Sequence, residues 1–111
     1  MRNVIAVTSP GIPGYRVMEV LGIVTGSSVR TRGVSGRLMA GVEAMLGGRG
    51  EAYLMELEKA RNEALRELVD KTARMGGNAV ISVDFETTQI LEGFIVVTVY
   101  GTAVKAVPGQ G

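Results

Sequence analysis

Asp84 and Glu86 stand two residues apart in a run that reads as a strand, so both carboxylates project from one face, about 7 Å apart along it. Glu19, in an earlier strand-like run, could join them across a sheet. Oxygen ligands of this kind suit a hard cation such as magnesium or calcium, and an assembly axis would multiply them. The competing reading, a solvated strand face, is the favoured one. A second constellation is Gly47-Gly-Arg-Gly-Glu-Ala-Tyr53. Glycines ahead of a helix leave backbone N–H groups open to an anion, and Arg49 could pair with the same anion, on a small ligand or a neighbouring subunit. Glu51 could instead satisfy that positive end from within the chain. Tyr53 reads as a packing or interface residue. The stretch lacks the Lys-Ser/Thr of a phosphate-binding P-loop, and no strand directly precedes it as a dinucleotide fingerprint requires. An interhelical turn with a solvated Arg49 is the simpler account. A third group, Arg30, Arg32 and Arg37, is basic and could bind an acidic partner, nucleotide or nucleic acid, but a solvated loop is the favoured reading.

Composition removes much other chemistry. The chain has no Cys and no His, which excludes disulfides, thiol catalysis, Ser-His-Asp triads and ordinary structural zinc sites. Six methionines remain, scattered among apolar positions, where Met is more often a gap-filler than a soft-metal ligand. Twelve basic and eleven acidic residues nearly cancel, so a dedicated nucleic-acid surface is not expected. No cofactor is expected from the residues. No charged-then-apolar leader is visible and no run approaches the length of a membrane helix, so neither a signal peptide nor a membrane anchor is expected and a cytoplasmic location is.

These candidates must be positioned by a small set of elements. The 111 residues suit one domain over 1–111, and 46% hydrophobic content suits a packed core. Asn3–Thr8 is a short Val/Ile-rich run, followed by the Pro/Gly turn Ser9–Gly14. Tyr15–Val29 alternates as a strand, with Val17, Glu19, Leu21, Ile23 and Thr25 on one face. The two runs are expected to form a hairpin, or two strands of one sheet. A short helix is expected over Ser35–Leu46, closed by Gly47-Gly48. Glu51–Met75 carries Leu54, Leu57, Ala64, Leu65, Leu68 and Met75 at helical spacing, and Glu56–Lys59, Glu63–Arg66 and Glu67–Lys71 as supporting charge pairs. Gly76-Gly77 ends that helix. Ala79–Ile90 and Phe94–Val107 read as two strands about a turn at Glu92-Gly93. The expected architecture is α+β, a two-layer sandwich in the order β-β-α-α-β-β with an antiparallel sheet. The last strand is apolar on both faces, which one helical layer cannot cover. Burial against identical subunits is the expected remedy, favoured over a monomer in which the two helices and a folded-over strand cover everything.

Three fragments anchor a resemblance: Gly14-Tyr-Arg-Val-Met-Glu-Val-Leu-Gly-Ile-Val-Thr-Gly26, Gly76-Gly-Asn-Ala-Val80 and Tyr100-Gly-Thr-Ala-Val104. With Thr31-Arg32, Ala40-Gly41, Gly47-Gly48, Tyr53 and Thr87–Ile90, the ordered set from Thr8 to Val104 resembles the YbjQ-like family, which is commonly labelled heavy-metal-binding. The resemblance implies a dodecin-type subunit that assembles as a cyclic pentamer. Its metal label conflicts with the absence of Cys and His. The residues favour a non-enzymatic, homo-oligomeric module that binds a small ligand, an ion or a partner. The alternative is an enzyme with a carboxylate, Arg or Tyr site between subunits, in which Glu19, Asp84, Glu86 or Tyr53 would move protons.

Overall fold

The computed structural model describes residues 3–31, 51–90 and 94–109. The elements are β1 (Ile5–Ala6), β2 (Tyr15–Thr31), α1 (Glu51–Arg74), β3 (Ala79–Ile90) and β4 (Phe94–Pro108). The four strands form one sheet in the order β1-β3-β4-β2, and α1 packs on one face of it. The expected helix over Ser35–Leu46, Arg32, Arg37, Arg49 and the turn at Glu92-Gly93 lie outside the described residues. So do the side chains of Glu51 and Tyr53.

The α+β class holds, but the sheet is mixed rather than antiparallel. β1 does not form a hairpin with β2. It pairs in parallel with β3, Ile5 opposite Ala79 and Ala6 opposite Val80, at the far edge of the sheet. The reason lies in residues 7–14. Tight hairpins use two-residue primed turns, and a stretch with prolines at 10 and 13 makes an arch instead. The arch hydrogen-bonds along β3, with Val7 N donating to Val80 O at 2.9 Å and Ser82 N donating to Ser9 O at 2.9 Å. Its Ile12, together with Tyr15, then covers Ala79, Val104 and Ala106 on the face away from the helix.

β4 is therefore a central strand, paired with β3 on one side and β2 on the other. That accounts for its two apolar faces. Ile95, Val97, Val99 and Ala103 lie under α1, and Val104 and Ala106 lie under the arch. The most exposed apolar side chains of the sheet are on β2, while Phe94 and Tyr100 of β4 are also exposed.

Two irregularities reorganise β2. The register against β4 shifts between Val17 and Glu19 and again between Val20 and Gly22, where Gly22 has φ 129°. Each extra residue inverts the alternation beyond it. Simple two-residue periodicity put Val17, Glu19 and Ile23 on one face. The structure puts Glu19 on the helix side and Val17, Val20 and Ile23 on the other. Val24, Gly26 and Ser28 then turn inward beneath α1.

α1 begins and ends as expected, at Glu51 and one residue short of Met75. It closes in a Schellman motif: Gly76 N donates to Ala73 O, Gly77 N donates to Thr72 O, and Gly76 sits at φ 89°. The buried stripe is Ala60, Ala64, Leu68 and Thr72, with Leu57 and Leu65 at its margins, while Leu54 and Met75 are exposed. The small residues are what admit close packing. A Cβ on Gly26 would land on the Ala64 carbonyl oxygen and within 2.8 Å of Leu68 N, so the helix backbone rests directly on β2. Gly26→Val should cost about 3 kcal/mol in chemical denaturation, at the upper end for overpacking, because the obstruction is backbone. Gly11→Ala, where an added Cβ meets nothing within 4 Å, should stay within about 0.5 kcal/mol.

Candidate functional site

The carboxylates singled out by spacing are placed by a bulge in β3. The register against β4 shifts between Ile81 and Asp84, and Ser82 there adopts φ 55°, a left-handed conformation uncommon for serine. The bulge sits over Gly101, where a Cβ would come within 2.7 Å of Val80 Cγ1 and 3.0 Å of Ile81 O. Before the bulge Ile81 shares the helix-free face with its partner Thr102, and after it Asp84 does so with Tyr100. Glu86 follows on the same face opposite Thr98. With Thr25 and Ser27 opposite Tyr100 and Thr98 on β2, these residues form a polar band across the middle of the helix-free face.

Within the band Tyr100 Oη donates to Asp84 Oδ2 at 3.2 Å, and Phe85 N donates to Asp84 Oδ1 at 2.8 Å. The negative charge of Asp84, then the hydrogen bond to it, hold the Tyr100 phenol above the ordinary tyrosine range, with a smaller push from Glu86. A tyrosine shifted this way is a poorer proton donor at neutral pH, not a primed one.

Glu19 does not join Asp84 and Glu86. It lies on the helix side of the sheet, opposite Lys105 in register, with its Oε1 3.6 Å from Lys105 Nζ. Lys105 in turn passes beside Gly76 at the end of α1. The double bulge of β2 is the cause, since it inverts the face on which Glu19 falls. Among the described residues no group of three or more His, Cys, Asp or Glu side chains is placed to hold a metal ion. The described methionines are equally dispersed: Met18 is on β2, while Met55 and Met75 are at opposite ends of α1.

A tighter polar cluster lies on the helix side, and spacing alone missed it. Arg30 reaches Glu56 Oε2 through Nε and Glu63 Oε1 through Nη2, both at 3.3 Å. Ser28, nearly buried, donates its hydroxyl to Glu63 Oε2 at 2.7 Å. The Arg30 Nε contact is an ion pair without a directed hydrogen bond, since that buried nitrogen has no hydrogen-bond partner. Arg30 is therefore no member of an open basic patch. It clamps the end of β2 to α1. Glu63, expected to pair along the helix with Arg66, is turned toward the sheet instead. The Glu56–Lys59 and Glu67–Lys71 pairs form as expected, at 3.7 and 2.9 Å. The Lys71 hydrogen bond lowers the Glu67 carboxyl below its usual range.

The Asp84–Tyr100 pair gives a sign-definite test. Because the folded-state pKa of Tyr100 is raised, the pair supports the fold below the ordinary tyrosine pKa, and that support is lost as pH rises through the raised value. In a background with Tyr15 and Tyr53 changed to Phe, Asp84→Asn should bring the tyrosinate absorbance midpoint of Tyr100 down toward 10.0. An unchanged midpoint would mean that Asp84 does not govern the phenol.

Comparison with known proteins identifies the family. A family model, YbjQ_1, described as "Putative heavy-metal-binding", matches residues 4–107. A UPF0145 protein of Saccharolobus islandicus is 40% identical over 103 residues, covering 93% of this chain and 90% of the relative. One from Picrophilus torridus is 39% identical over 108 residues, covering 97% and 92%. Among solved structures, a protein of unknown function of the DUF74 family from Pediococcus pentosaceus superposes with a TM-score of 0.66 at 20% identity, covering 94% of this chain and 98% of that one. That similarity speaks for the fold alone. On the extent of the family match and the identity to its UPF0145 relatives, the chain belongs to the YbjQ-like, UPF0145 family.

Proposed function

We propose that this protein is a non-catalytic, homo-oligomeric module whose β2 strand is covered by further copies of the same chain. The observation that carries the reading is the apolar strip of Val17, Val20 and Ile23 on the helix-free face, which are 39%, 64% and 81% exposed. Fully covering a side chain of this size is worth about 1.5–3 kcal/mol. The strip runs along a 17-residue strand that is an edge among the described residues, with neither charge nor proline between Val20 and Val29, the kind of edge that solitary domains avoid.

A second copy is the favoured occupant because the sheet offers two complementary edges. On the far side β1 pairs only with Ala79 and Val80, so among the described residues Asp84–Thr88 have no strand beyond them. Pairing the β2 edge of one copy with the β3 edge of the next is heterologous, and heterologous contacts form a ring where the rotation between copies closes. The cyclic pentamer of dodecin-type subunits suggested by the family resemblance belongs to this class.

The heavy-metal description of the family finds no matching donor set among the described residues. Soft metals call for thiolate or imidazole, which the sequence lacks, and the described methionines do not converge. Nor does any arrangement among the described residues favour the enzyme alternative: Glu19 is paired with Lys105 on the opposite face, and Tyr100 is pushed away from neutral titration.

Two measurements test these readings. Light scattering and native mass spectrometry at micromolar concentration should report a stable homo-oligomer, and Ile23→Lys should lower its mass while circular dichroism stays unchanged. A monomeric wild-type protein would overturn the assembly. Calorimetry with zinc or copper should show no binding tighter than about micromolar, roughly −8 kcal/mol. Tighter binding would reinstate the family's metal label for this chain.

A further inference from the structure

We draw no further inference here: the strongest candidate, the polar band of Asp84, Glu86 and Tyr100 on the helix-free face of the sheet, is an exposed acidic cluster with no second feature among the described residues that points to a ligand.

Discussion

The contact between the backbone of α1 and the backbone of β2 at Gly26 governs the rest of the molecule. With no side chain at Gly26 and only methyl groups at Ala60 and Ala64, the helix settles onto the sheet at a distance no larger residue would permit. That spacing brings Leu68 and Thr72 to full burial further along the helix. It also brings the carboxylate of Glu63 within reach of Ser28 and Arg30. The Thr72 hydroxyl, buried by the same approach, donates to the Leu68 carbonyl at 2.9 Å and so is satisfied under the helix.

The helix occupies one face, and the other is left to a shorter device. The Pro/Gly arch and Tyr15 cover one end of the helix-free face, over Ala79, Val104 and Ala106. Asn78 secures that end from the side, exchanging two 2.8 Å hydrogen bonds with the backbone of Ala106. Beyond the arch the face divides into an apolar strip along β2 and a polar band centred on Tyr100. The two regions make different surfaces: one gains from losing water, the other is already hydrated and internally paired.

The elements were legible where a single periodicity governed them. The span of α1 followed from its three- and four-residue stripe and from the glycines that close it. β3 and β4 followed from β-branched runs about a short turn. What periodicity could not carry was parity across a bulge. Glu19 was paired with the wrong face because Met18 and Leu21 each add a residue to β2 without adding one to β4. Asp84 and Glu86 do share a face, as expected, because both lie on the same side of the Ser82–Val83 bulge. The parallel pairing of β1 was hidden for another reason. A run of apolar residues names no partner, and neighbouring strands in sequence are only the commonest solution. The Arg30 clamp was hidden because its members are ordinary surface types, spread from the end of β2 to the middle of α1.

The parallel pairing of β1 also orders the folding of the chain in time. β3 and β4 are near neighbours and can meet while the loop between them is short, and α1 needs only its own turns. β2 must wait for β4, whose residues follow it by more than half the chain, and Ile5 must wait for Ala79. The first strands to leave the ribosome are thus among the last to find their partners. During that interval the Val/Ile-rich edge of β2 is exposed in a chain that cannot yet fold around it, and neighbouring nascent copies are its nearest competitors for pairing.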